Sequence, residues 1–330
     1  MDDLPVAKTN LPKGFLKSTP GNKQLLIAAV LTIVLFIIGE IISPGFAHLT
    51  HILMIFKVAA FLGILALAQS LVIIAGGEGL DLSVGAIASM GAVTASVIIN
   101  GQDANIFSAL LVILTVGLVI GFVNGAGISY FNIPPLIMTL AMSSVVNGLI
   151  IIYSNGFAVR GSASQLLKEI SGKASFNIPN ILFVWFAVTL LVCFLLSKTK
   201  FGMALYGVGA NELTSELSGV RSRRVRTAAY MLSGAVSAFG GLLLLGYTGN
   251  AYLDIGSPYV LPSVAAVVIG GISLAGGTGS YLGVVLGAII LKTIGGILVN
   301  LHMGEAGRQV VFGLILLALL TVYGRQTANK

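Results

Sequence analysis

The chain has 330 residues, of which 56% are hydrophobic and 9% charged, and its mean hydropathy is +1.02. Soluble domains carry about a quarter charged residues, so the composition excludes a soluble enzyme and describes an all-α polytopic membrane protein. The net charge of +7 resides in basic residues flanking apolar runs, as topology requires, which argues against a nucleic-acid surface, and the single Cys193 excludes an intrachain disulfide framework or cysteine-based metal site.

Residues 1–24 are polar, hold Lys8, Lys13, Lys17 and Lys23, and read as a cytoplasmic tail before a retained first helix. With about 20 apolar residues per crossing, ten spans are predicted near 25–43, 52–75, 82–100, 107–129, 134–153, 180–197, 227–247, 259–274, 281–299 and 308–324. They form one transmembrane domain over 25–324, followed by a short cytoplasmic tail at 325–330. An inside N-terminus puts those four lysines, Lys198, Lys200, Arg221, Arg223, Arg224, Arg226, Arg325 and Lys330 on the cytoplasmic side, twelve of the eighteen basic residues, as the positive-inside rule demands. The segment 154–179, with Arg160, Lys168 and Lys173 against Glu169, is expected outside, folded over the outer mouth.

The first chemistry-bearing stretch is 75–85, AGGEGLDLSVG, a glycine-rich break that sets Glu78 and Asp81 between apolar runs. A carboxylate at membrane depth is expensive unless satisfied and marks a functional candidate. Asp81 or Ser83 also suits a helix cap, with the glycines supplying the turn, and a broken helix lining a passage accommodates both roles. Gly77, Glu78, Asp81, Ser83, Asn124 and Asn147 are therefore the candidate passage residues. Gly117, Gly121 and Gly125, and Gly279, Gly283 and Gly287, recur every fourth position and predict close helix packing more than pore lining. The stretches 76–92 and 270–288 are similar in letters, which suggests an internal repeat.

The interior has one long polar stretch, 198–226, bracketed by basic residues and hence cytoplasmic. Asn211 is placed to cap a two-turn helix, Glu212 falls in its positive first turn, and Gly219 closes it in a left-handed conformation. Asn211, Glu212, Glu216, Ser218 and Gly219 are the candidate docking residues. A phosphate loop G-x-x-x-x-G-K-[ST] is absent, so ATP binding is not expected in this chain, and no catalytic or metal motif appears. His48 and His51 lack acidic or cysteine partners nearby in sequence.

Four stretches together resemble a known family: the glycine-rich 76–85, 132–140 (NIPPLIMTL), 202–219 and 270–283. Over nearly its whole length the chain resembles the inner-membrane permease subunits of bacterial ABC importers for ribose, xylose, galactose and related sugars, which are related to the branched-chain amino-acid permeases. The resemblance implies the ten-helix type II importer fold and a coupling helix at 210–220. It implies a homodimer or a pair of similar permeases, two cytoplasmic ATPase subunits carrying ATP and Mg, and a periplasmic or lipid-anchored binding protein that delivers the sugar. Glu78-Gly79 is a two-residue insertion before the family's Asp-Leu-Ser core. Alternatives are an ion-coupled secondary transporter using Glu40, Glu78 and Asp81, an ABC permease for a non-sugar solute (nucleoside, amino acid or signalling molecule), and a membrane enzyme or scaffold.

Overall fold

The computed structural model describes residues 22–154, 160–172, 174–175 and 177–328. The tail at 1–21, Lys173, Lys330 and part of the expected outer segment lie outside the described residues. In chain order the helices are α1 (Asn22–Ile42), α2 (Leu49–Ile74), α3 (Val84–Ile99), α4 (Ile106–Tyr130), α5 (Pro135–Tyr153), α6 (Gln165–Gly172), α7 (Asn180–Lys198), α8 (Lys200–Ala210), α9 (Glu212–Leu217), α10 (Ser222–Thr248), α11 (Val260–Ile269), α12 (Tyr281–Asn300) and α13 (Glu305–Ala328). A two-residue strand pair, β1 (Ala174–Ser175) and β2 (Ile178–Pro179), precedes α7.

Among the described residues, seven helices are long and apolar enough to cross a bilayer: α1, α2, α4, α5, α7, α10 and α12. The other three expected spans fall on shorter apolar stretches, Val84–Ile99, Ser257–Ile269 and Ala306–Ile315. At about 1.5 Å per residue, the 16 residues of α3 and the 10 of α11 rise about 24 and 15 Å, short of a bilayer core of about 30 Å. The expected spans at 82–100 and 259–274 are thus partial helices, each preceded by an irregular segment.

The two segments enter from opposite ends. Gly76, at the end of α2, meets Gly209 and Gly276, whereas Gly85, one residue into α3, packs directly on the carbonyl of Gly256 and on Val260 at the start of α11. Gly256 N–H donates to Ser89 Oγ of α3 at 3.0 Å. α3 then runs to the end where Gly101 N–H donates to Ser162 O and Ala163 N–H to Gly249 O, both within 3.0 Å. α11 runs the other way, to Gly270 and Ile272 and the glycine turn before α12. Two half-length helices therefore start next to each other inside the bundle and diverge.

This arrangement is an internal repeat, although not the one the letters suggest. α2 begins at Leu49 and α10 at Ser222, 173 positions apart, and the left-handed Gly76 and Gly249 keep that separation, as do Asp81 and Asp254. α3, α4 and α5 recur as α11, α12 and α13. The stretches 76–92 and 270–288 are instead neighbours, with Gly277 N–H donating to Ile74 O at 3.0 Å.

α2 and α10 form the buried centre. The glycine stripe of α4 does what its spacing predicts: Gly117, Gly121 and Gly125 lie on the backbone of α10 at Gly234, Tyr230 and Thr227, with no room for a Cβ. Thr227 Oγ1 donates to Gly125 O at 3.3 Å across the contact. Gly283 and Gly287 likewise seat α12 on α11 at Gly270 and Ala266. On the far side of α2, Trp185 Nε1 of α7 donates to Tyr281 Oη of α12, which donates to Gly63 O, each at 3.0 Å. The sides of the bundle are apolar and exposed, as lipid contact requires: Ile33, Ile41, Phe107, Ile152, Phe186 and Leu191 are examples.

The expected sidedness agrees with these contacts in relative terms. The 75–83, 199–226 and 270–280 segments gather at one end, where Gly76, Gly209 and Gly277 touch. Residues 100–105, 160–172 and 249 gather at the other, where Leu166 N–H also donates to Asp103 Oδ1 at 2.9 Å.

Candidate functional site

α9 is a six-residue helix whose ends follow from its sequence. Asn211 is extended and its Oδ1 accepts from Thr214 N–H at 2.9 Å, satisfying one of the free donors of the first turn. Gly219 adopts φ +85° with open space where a Cβ would stand, and the N–H groups of Ser218 and Val220 return to carbonyls of the helix, the closure expected of a left-handed glycine. Ser218 Oγ donates to Thr214 O at 2.8 Å, and Glu216 is exposed. Two large apolar side chains one turn apart, Leu213 and Leu217, are 67% and 82% exposed. Both lie on the helix that leads from α8 towards α10, at the end of the bundle where 75–83 and 270–280 also gather.

α8 and α9 sit against the break. Gly209 leaves no space for a Cβ beside Ile74 O and Gly277, and Gly76 abuts Gly209. Tyr206 Oη of α8 donates to Gly279 O at 2.8 Å. Three chain segments thus meet almost entirely through backbone. Glu212 Oε2 accepts from Arg226 Nη2 of α10 at 2.8 Å, a partner that sequence reasoning missed because Arg226 read as one more span-flanking cation.

Deeper in the bundle, Asp81 is 1% exposed. Its Oδ1 accepts from Ser83 N–H at 3.0 Å and from Ser83 Oγ, and its Oδ2 accepts from Ser233 Oγ of α10 at 3.0 Å. Asn124 Nδ2 of α4 donates to Ser83 Oγ at 2.9 Å. With its carboxamide oriented to satisfy both contacts, Gln69 of α2 donates to Asp81 O at 3.0 Å and accepts from Asp81 N–H at 3.2 Å. Thr139 Oγ1 of α5 accepts from Leu82 N–H at 3.1 Å. Four helices thereby fasten an irregular segment whose backbone polar groups find no partners in regular structure, the condition for non-helical backbone at membrane depth. Ser83 makes no side-chain cap for α3, and Asp81 instead takes the N–H of Ser83, the residue just before that helix. Gln69 thus holds the backbone of Asp81 on both its carbonyl and its N–H.

Of the passage candidates, Asp81, Ser83 and Asn124 are therefore brought together and enclosed. Gly77 (φ +65°) lies against Arg226, and Glu78 (φ +56°) is exposed at the end of the bundle near α8. Asn147 is half-buried on α5, and no hydrogen bond of the Asp81 cluster reaches it. Glu40, at the opposite end, accepts from the N–H groups of Gly45 and Ala47 at 2.9 and 2.7 Å and so closes the α1–α2 turn.

A model of the family described as the branched-chain amino acid transport system / permease component matches residues 51–320. The chain belongs to this permease family. Among its relatives is the autoinducer 2 import system permease protein LsrC of Yersinia pseudotuberculosis serotype O:3 (strain YPIII), 32% identical over 311 residues that cover 94% of this chain and 87% of the relative. LsrC of Yersinia pestis (strain Pestoides F) matches with the same identity and coverage. No solved structure matches the chain. In the permease, then, the paired breaks, the Asp81 cluster and the exposed α9 belong to a membrane transport component rather than an enzyme.

Proposed function

We propose that this permease is the membrane-spanning subunit of an ATP-driven importer, and that α9 is the element on which a cytoplasmic ATPase subunit docks. The observation that carries the reading is α9 itself: a capped helix, exposed at the end of the bundle that holds the break, presenting Leu213 and Leu217 to solvent. A transporter that works alone has no use for such a surface.

In this reading the N- and C-termini and the 198–226 loop face the cytoplasm of a bacterial inner membrane. Ten passages result, because α3 and α11 each cross together with the segment before them. A second permease subunit, identical or similar, completes the passage beside Asn147 and the break residues Gly77 and Glu78. ATP and Mg bind the partner ATPase, with no cofactor in this chain, and an external binding protein, periplasmic or lipid-anchored, delivers a sugar or sugar-like solute. The relatives' names attach autoinducer 2 import to those proteins, so a small signalling solute stands beside ribose, xylose and galactose among the probes. An ion-coupled mechanism is disfavoured by the placement of its three acids: Glu40 closes a turn at one end, Glu78 is exposed at the other, and Asp81 is enclosed between helices.

The test is co-expression with the ATPase subunit and size-exclusion chromatography of the complex. Burying a leucine contributes about 1.5–3 kcal/mol, so Leu213→Asp or Leu217→Asp should lower ATPase retention at least about tenfold while the permease remains monodisperse. Undiminished retention in both variants refutes docking through α9.

A further inference from the structure

Arg226 stands between α9 and the break. Its Nη2 donates to Glu212 Oε2 at 2.8 Å, and the arginine side chain is 12% exposed against 44% for the glutamate. The same guanidinium fills the space a side chain at Gly77 would take, with Nη2 3.1 Å from the Cβ position. Seven residues further along α10, two turns on and on the same face, Ser233 donates to Asp81 Oδ2. One face of α10 therefore holds both ends of the irregular segment, Gly77 through Arg226 and Asp81 through Ser233, and the Gly77 end also holds α9. The α8–α9 corner adds a second hold on the same segment, because the Cα of Gly209 occupies the space a side chain at Gly76 would take.

We infer that Arg226 is a positioning residue through which the position of α9 sets the conformation of the 76–83 segment. The inference rests on the reading of α9 as the docking element. The chemistry is that of a half-buried ion pair: a guanidinium with little access to water is held by a carboxylate that still reaches solvent. A displacement of Glu212 obliges the arginine to follow or to lose its counter-charge. Because the guanidinium lies on Gly77, which has no side chain to shield the backbone, either response is felt by the segment. Glu216 lies on the same helix and is exposed, so it supplies a matched control: its removal takes an equal charge from the docking surface without touching Arg226.

The experiment uses the permease co-purified with its ATPase subunit in nanodiscs, carrying Cys193→Ala and Glu78→Cys. The rate of maleimide labelling at position 78 is compared with and without ATP and vanadate. In this background nucleotide should change the labelling rate at least about fivefold, the lower end of usual coupling between sites. With labelling compared at equal amounts of bound ATPase, Glu212→Gln should reduce that change to less than about twofold, and Glu216→Gln should leave it at about fivefold or more. Arg226→Lys, which keeps the charge and loses the planar fork, should give an intermediate change. Equal behaviour of Glu212→Gln and Glu216→Gln, or a labelling rate insensitive to nucleotide before either is introduced, overturns the inference. Failure of the ATPase to co-purify with the otherwise unmodified permease overturns the docking reading instead.

Discussion

Asp81 offers a substitution pair that separates hydrogen bonding from shape. Replacing it with leucine removes the acceptor for three donors, Ser83 N–H, Ser83 Oγ and Ser233 Oγ, in a site closed to water. Each unsatisfied buried donor costs about 1–3 kcal/mol. The Ser233 hydroxyl can turn to a carbonyl of its own helix, as Ser237 Oγ does with Ser233 O at 2.7 Å, which leaves two donors and a penalty of about 2–6 kcal/mol. Asparagine keeps Oδ1 for Ser83 and presents an amide to Ser233, whose hydroxyl can accept by rotation, at a cost of about 1 kcal/mol. Asp81→Leu should therefore lose most of its monodisperse protein in fluorescence-detected size-exclusion chromatography after a graded heat challenge, and Asp81→Asn should lose little. If the two variants fall at the same temperature, or leucine is harmless, the account of Asp81 as the fastening of the 76–83 segment is wrong.

Other substitutions test the fold around that segment. Gly121→Ala places a methyl group against the backbone of α10 at Tyr230 and Met231 and should destabilise the bundle by about 1–3 kcal/mol through overpacking, read as the shift of the same heat-challenge curve. Gly219→Ala has open space but a left-handed backbone; it should cost about 1 kcal/mol, and Gly219→Asn should recover most of it, measured as ATPase retention and thermal stability together. In a Cys193→Ala background, Ser218→Cys and Asn250→Cys should be labelled by an impermeant thiol reagent from opposite faces of the membrane; labelling of both from one face contradicts the grouping of loop ends.

The sequence carried α9 almost completely, because a short polar helix is defined by its own caps: Asn211 and Gly219 act locally and need no tertiary context. It carried the glycine stripe of α4 as a packing surface but not its partner α10, since spacing within one helix says nothing about what lies opposite. Hydropathy located α3 and α11 but not their half-length form. A half-length helix preceded by an apolar irregular segment has the same average as a full span, so the two breaks were legible only as one, at the glycine-rich 76–85. The pairing of 76–92 with 270–288 followed shared glycines, whereas the true displacement of 173 residues rests on element boundaries and a few positions such as Asp81 and Asp254. Glu40 entered only the ion-coupled alternative, and the turn residues Pro44 and Gly45 a few positions later were a signal that its carboxylate closes a loop.

The meeting of α3 and α11 at Gly85 and Gly256 has an electrostatic consequence. Both helices begin there and run apart, so the partly positive ends of two helix macrodipoles, each equivalent to about half an elementary charge, face one another within the bundle. Their mutual repulsion would push the two half-helices apart, and water is largely absent there to screen it. Asp81 lies three residues before α3, and its side-chain oxygen, which accepts from Ser83 N–H, presents a partial negative charge to that terminus. The opposed termini thus favour an oxygen acceptor at position 81, whether carboxylate or carboxamide, and the stretch of backbone before α3 is fastened where their dipoles meet.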